Sequence, residues 1–250
     1  MRCAMRCSRR TQPSTQPARR IRTFRGWEDS GAGQIHSWFQ KTGKYHVACF
    51  VNPIDEELNI DSSKIDRDAS QFYYPEGKTF KDLPLINKSD WYSELSKLGI
   101  NKIIITITNL RERYNQINKA KEYGFELVNA IHESALIMGN AILGENLIIY
   151  PRAYVGYCAE VHTGVVLNTS VQLDHHNVIR ECVAVDPGVV FAGNVTVGRF
   201  TQVHTGAVVK NRIRIGADSV IGAGSVIIKD IPDRVTVVGV PGRIIKHHEL

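Results

Sequence analysis

The side chains best suited to moving a proton are four histidines, His162, His175, His176 and His204, and one aspartate, Asp174. A neutral imidazole oriented by a carboxylate can take a proton from an attacking amine or hydroxyl near neutral pH. Two things set His175 apart: Asp174 directly before it, and Asn168-Thr169 seven residues upstream. Glycines further along, Gly193 above all, leave room for an extended cofactor and offer main-chain N–H groups. Cys182 is a possible acyl-carrying nucleophile, but no base accompanies it in the sequence, so a packing role is expected. A zinc site built from three histidines needs two of them a few residues apart. His162, the adjacent His175–His176 pair and His204 lack that spacing, so no metal site is expected.

A second candidate lies near the start of the chain. Gly31 and Gly33 precede an amphipathic run over residues 34–41, and a glycine-rich turn at a helix start can hold a phosphate on its N–H groups. The turn has only two glycines, and residues 21–29 are too charged for a buried first strand. A tight turn without a ligand therefore carries nearly equal weight.

The repeat that must position the histidines is plain. Residues 134–229 divide into sixteen hexads, each apolar in its fourth place: Ile137, Leu143, Ile149, Val155, Val161, Leu167, Leu173, Ile179, Val185, Phe191, Val197, Val203, Val209, Ile215, Ile221 and Ile227. With 43% hydrophobic residues, a random order does this with odds of roughly one in a million. Neither helix nor alternating strand has a period of six. Second places are mostly small or aliphatic and fifth places often glycine, which describes a parallel β-helix of hexapeptides with the fifth place as the permissive turn position. His162 and His204 then fall at fifth places and His175 at a sixth, all near corners. About five and a third coils of 18 residues are expected, and the chain should leave the prism after Lys229.

Four regions follow. Residues 1–27 read as a basic, unstructured leader and 28–132 as a small α/β unit resembling a degenerate Rossmann domain. Residues 133–229 read as the β-helix and 230–250 as a C-terminal extension. Within the α/β unit, strands are expected over 47–51, 100–107 and 125–131, helices over 91–98 and 110–123, and a long loop over 52–80.

Bulk properties exclude several classes. The eight arginines of residues 1–27, with no acid among them, exceed the formal +6 of the chain and leave the remainder at −2. No basic face for a nucleic acid is visible in the folded part. The leader has the composition of an organelle transit peptide, but a disordered tail or a misassigned start is the favoured reading of it. No apolar run reaches the ~20 residues of a membrane span. Five scattered cysteines fit a reducing, cytoplasmic compartment better than a disulfide framework.

Several motifs carry a family resemblance from about residue 100 to residue 243: Leu167-Asn168-Thr169, Asp174-His175, Ala192-Gly193-Asn194-Val195, Ile221-Gly222-Ala223-Gly224-Ser225-Val226 and Gly239-Val240-Pro241-Gly242-Arg243. Val128-Asn129-Ala130-Ile131-His132 also joins sheet to prism as in the family. The chain resembles the hexapeptide-repeat sugar acetyltransferases typified by sialic-acid O-acetyltransferase and the UDP-amino-sugar N-acetyltransferase of the bacillosamine pathway. The resemblance implies a left-handed β-helix working as a homotrimer on acetyl-CoA and a sugar or nucleotide sugar for a bacterial surface glycan. It implies His175 as general base, assisted by Asp174, and Asn168 as a sugar contact. Gly193, Thr205, Gly222 and Ala223 would line the CoA groove, with Gly31 and Gly33 contacting substrate. Two departures stand out: the acidic residue usual after the catalytic histidine is His176, and a second cofactor-contacting histidine is Ala184. A trimeric scaffold without catalysis and a zinc hydratase are the alternative readings.

Overall fold

Residues 19–24, 31–53 and 78–249 are described by a computed structural model. The N-terminal part is a six-stranded sheet with helices α1 (Gly31–Phe39), α2 (Trp91–Lys97) and α3 (Leu110–Glu122). Its strands are β1 (Arg19–Phe24), β2 (Tyr45–Asn52), β3 (Thr79–Phe80), β4 (Leu83–Asn87), β5 (Lys102–Ile105) and β6 (Glu126–Leu127). They lie in the order β3-β4-β2-β1-β5-β6, parallel except for the β3–β4 hairpin. Strand β5 is buried along its whole length, as expected of a central parallel strand covered on both faces. Asn109 caps α3 by accepting from the Glu112 N–H at 3.0 Å, and Gly124 follows its end at φ 75°.

One expectation needs correction. Composition predicts an unstructured leader over residues 1–27 and too much charge for a buried strand over residues 21–29, yet β1 pairs with β2 on one side and β5 on the other. Backbone pairing overrides composition here, because without β1 both neighbours would expose unpaired inner edges. The α/β unit thus begins before residue 28. The remainder of the leader, residues 1–18 and 25–27, and residues 54–77 of the expected loop lie outside the described residues. Residues 83–87, not anticipated as a strand, form β4.

The rest of the described chain is mainly β, a left-handed parallel β-helix of three-sided coils. Its first face runs from Ala130–Ile131 to Val235–Val238. The second runs from Leu136–Ile137 to Val226–Ile227, and the third from Ile142–Leu143 to Arg214–Ile215. Each two-residue rung occupies the third and fourth places of its hexad and pairs with the residues 18 further on, as in Val166↔Ala184 and Leu167↔Val185. From Ile149 to Ile227 every fourth-place side chain is at most 2% exposed. Each contributes ~1.5–3 kcal/mol of gross burial.

Two further details differ from the sequence reading. The turn residue is the first place, not the fifth: every hexad from Asn140 to Gly224 opens on a residue with φ between 52° and 77°. The fifth place is small because the next coil passes against it, and a Cβ on Gly156 would lie 2.6 Å from the Asp174 carbonyl carbon. The prism also continues beyond Lys229. Ile231 bridges Ile215, and Val235–Val238 pairs with Val220–Ile221 in a coil two residues short (Val220↔Thr236). Arg243–His247 then adds an antiparallel edge.

Buried polar side chains join the two parts. Asn146 Nδ2 donates to the Ile105 carbonyl at 2.9 Å, and its Oδ1 accepts from the Ile105 N–H at 2.6 Å, as a paired strand would. Arg113 donates to the carbonyls of Ile107 and Gly164 at 2.5 and 3.0 Å. Ile148, Tyr150 and Val166 on the first face pack with Phe39, Val47 and Phe50 in one apolar cluster. Asn146→Ala strands both Ile105 backbone groups in a dry junction. It should cost about 2–4 kcal/mol of unfolding free energy, measured by denaturant titration.

Candidate active site

His175 stands at the corner between the second and third faces. Its carbonyl accepts from the Asn194 N–H at 2.9 Å, and the His176 N–H donates to the Tyr157 carbonyl at 2.9 Å, which locks the backbone on both sides. The imidazole lies over the coil above: a Cβ on Gly193 would be 2.5 Å from both Cε1 and Nε2 of the ring. The ring therefore occupies the space where a side chain at 193 would be, which is why that place is glycine. His175 remains exposed, and among the described residues Nε2 has no hydrogen-bond partner.

Asp174 adjoins this ring but does not orient it. Its Oδ1 accepts from the His175 backbone N–H at 2.7 Å, and the group facing the ring is Nδ1 of His176, 3.0 Å from Nδ1 of His175. The Tyr157 ring lies edge-on to His176, with centroids 5.9 Å apart, and the Tyr157 hydroxyl is 3.3 Å from Asn140 Nδ2. Beneath the corner, the buried Asn177 Oδ1 accepts from the Val195 N–H at 2.6 Å and braces one coil against the next.

The other expected site residues fall elsewhere. Asn168, Thr205, Gly222 and Ala223 share the corner between the first and second faces, Thr205 and Gly222–Ala223 in successive coils and Asn168 two coils before Thr205. That corner lies across one face from His175, roughly 20 Å away at ~3.3 Å per residue. Among the described residues the N–H groups of Thr205 and Ala223 make no hydrogen bond, whereas that of Gly222 donates to Val237. The glycines near the chain start lie inside the first turn of α1 rather than before it. Gly33 is packed so closely on the β3–β4 turn that a Cβ there would be 2.9 Å from Lys81 Cε. In the same helix His36 is held below its ordinary value, first by burial and then by Lys81 and His46. The small domain covers the first face and reaches the corner between third and first faces through Lys121–Glu145 and Arg111–Asp218. His175 occupies the vertex opposite that face. One protomer thus brings together Asp174, His175 and Gly193, but not Asn168, Thr205, Gly222, Ala223, Gly31 or Gly33.

The remaining candidates have local explanations. Cys182 is buried beside Ile117 and Phe200, and its thiol is pushed up to about 11, chiefly by burial and further by Glu181, against an opposing effect of Arg113. His162 is 3.0 Å from Glu181 and 3.2 Å from Arg180, and His204 Nδ1 is 2.8 Å from Asp186. Among the described residues no three metal-ligating side chains converge. The sequence reading missed the His175–His176 contact and the His204–Asp186 pair. The 18-residue coil could have revealed the second, because 186 and 204 are one coil apart.

Several proteins of known structure or sequence that resemble this chain are acetyltransferases. Perosamine N-acetyltransferase (PerB) from Caulobacter crescentus, solved with CoA and GDP-perosamine, is 25% identical with a TM-score of 0.77, covering 90% of this chain and 97% of that one. The acetyltransferase domain of PglB from Neisseria gonorrhoeae, solved with acetyl-CoA, has a TM-score of 0.75 at 24% identity, covering 92% and 100%, and shares the fold. Galactoside O-acetyltransferase from Escherichia coli is 29% identical over 128 residues, 42% of this chain and 63% of the relative. Serine acetyltransferase from Buchnera aphidicola is 29% identical over 139 residues, 49% and 51%. The chain spans about half the length of that serine acetyltransferase. No protein-family model matches the sequence. In repeat, coil geometry and N-terminal sheet, the chain resembles the hexapeptide-repeat sugar acetyltransferases.

Two outcomes follow from the geometry. Gly193→Ala should displace the His175 ring while leaving the prism folded, visible as altered His175 imidazole resonances with an unchanged melting temperature. In the native protein Cys182 should resist iodoacetamide at pH 7–8, because its thiolate forms only as the pH approaches about 11, and it should label on denaturation.

Proposed function

We propose that the protein is an acetyl-CoA-dependent acetyltransferase acting on an amino or hydroxyl group of a sugar, with His175 as general base. The observation that carries this reading is the exposed His175 Nε2, lodged against Gly193 with no protein partner among the described residues. An imidazole fixed at Nδ1 and open at Nε2 is arranged to accept a proton from outside. The acceptor's nitrogen or oxygen attacks the thioester carbonyl carbon as its proton passes to Nε2. The carbon–sulfur bond then breaks, and the thiolate recovers that proton from His175. Asp174 would fix the backbone under the base.

The separation of the expected contacts supports a homotrimer. Asn168, Thr205, Gly222 and Ala223 can meet His175 only if the first–second corner of one protomer lies beside the second–third corner of the next. The outward residues of the second face are Leu136, Tyr154, Gln172, Val190, Val208 and Val226, a strip apolar in every coil but that of Gln172 and suited to such packing. The open N–H groups of Thr205 and Ala223 suit the amide carbonyls of a CoA arm, which enters as a substrate. Lys81, beside the first turn of α1, adds a positive charge where Gly31 and Gly33 would meet a nucleotide phosphate. The CoA, acetyl-CoA and GDP-perosamine bound to the structural neighbours favour a nucleotide-linked amino sugar as acceptor. Surface-glycan synthesis in the cytoplasm is the proposed setting. No described helix is long and apolar enough to cross a membrane.

Thiol release from acetyl-CoA, followed with a panel of GDP- and UDP-linked amino sugars, tests the reading. At least one acceptor should raise release above hydrolysis, and His175→Ala should lower that rate about 10²–10⁴-fold. No stimulation by any acceptor, with His175→Ala equal to wild type, would leave the non-catalytic scaffold.

A further inference from the structure

Resting on the reading of His175 as a base, we propose that His176 is its positioning residue, fixing which nitrogen of the His175 ring carries the proton. The 3.0 Å approach of the two Nδ1 atoms requires one to donate and the other to accept. If His175 donates from Nδ1, its Nε2 carries the lone pair and the base is ready. If His176 donates, the proton of neutral His175 sits on Nε2 and the base is blocked. The proposal assigns the first arrangement, which leaves Nε2 open. Asp174 Oδ1 accepts from the His175 amide, and among the described residues its carboxylate makes no hydrogen bond to either ring. The coil below presents Tyr157 edge-on to His176, and the coil above presents Gly193 to His175. The rings stand at 82° to each other with centroids 5.2 Å apart, which suits an in-plane contact through nitrogen rather than stacking.

The local backbone supplies the reason. His176 opens its hexad at φ 58°, and histidine is among the side chains that adopt this conformation more readily. That turn folds its ring back toward the preceding residue.

His176→Gln retains an acceptor that does not titrate, and His176→Ala removes the acceptor. Imidazole ¹⁵N spectra of the full-length protein need no substrate. At neutral pH, His175 should carry its proton on Nδ1 in wild type and His176→Gln, and shift toward the Nε2–H form in His176→Ala. In kinetics, His176→Gln should retain most of kcat. His176→Ala should lower kcat about tenfold with KM unchanged. A wild-type His175 protonated on Nε2, or a His176→Ala variant whose His175 tautomer and kcat match those of wild type, would overturn the proposal. The expected tautomers in a protein that transfers no acetyl group would uphold the pairing and refute the acetyltransferase reading instead, so the two failures are distinct.

Discussion

The stacking of one aliphatic residue every six, directly above its counterpart 18 residues earlier, is the constraint on which everything else rests. From Ile149 to Ile227 these side chains are sealed from water, and each occupies the same point in its coil. A slip of one residue would turn the whole column outward, so the burial of the column fixes the register. Once the rungs are fixed, the corners are fixed too. The first place of each hexad must then take a left-handed conformation whether or not its side chain prefers it. Arg152, Cys158, Phe200 and Arg212 hold such angles beside the better suited Asn140, Asn194 and His176.

The same periodicity explains how a site can be held on so regular a scaffold. His175 and Gly193 are one coil apart, so a missing side chain in one coil creates the space for a ring in the next. Gly156 plays the corresponding part beneath Asp174. The imidazole is thereby gripped by backbone that the whole prism stabilises, while its outer edge stays open. Restraint of that kind gives a proton acceptor a definite direction without enclosing it. The small domain is welded on through Asn146 and Arg113, and it sits over the face opposite that vertex. Under the proposed function, the contacts that one protomer keeps apart would be brought together by a neighbouring one.

Much of this was legible in the sequence, because a period of six is unambiguous and each hexad reports the same environment. The prism, the corner placement of His175 and the packing of Cys182 could all be read there. The misreadings came where local composition conflicted with distant pairing. The arginines of β1 argued for a leader, yet two parallel neighbours supply backbone partners that composition does not reveal. Fifth-place glycines resembled turn residues, but their cause is the approach of the next coil. The shortened last coil breaks the period by two residues, so the pattern ended before the prism did. Asp174 drew attention because it adjoins His175 in sequence. In space its carboxylate is occupied by a backbone amide, and His176, noticed only as a departure from the family pattern, faces the ring.

The most direct test of the central claim is a crystal structure of the assembled protein with CoA and a nucleotide-linked amino sugar. The account predicts the acceptor amine or hydroxyl within about 3 Å of His175 Nε2, with the CoA thiol close by and the crevice shared between two protomers. CoA bound away from the second–third corner, or a His175 facing bulk water with no adjoining chain and no acceptor within reach, would contradict it.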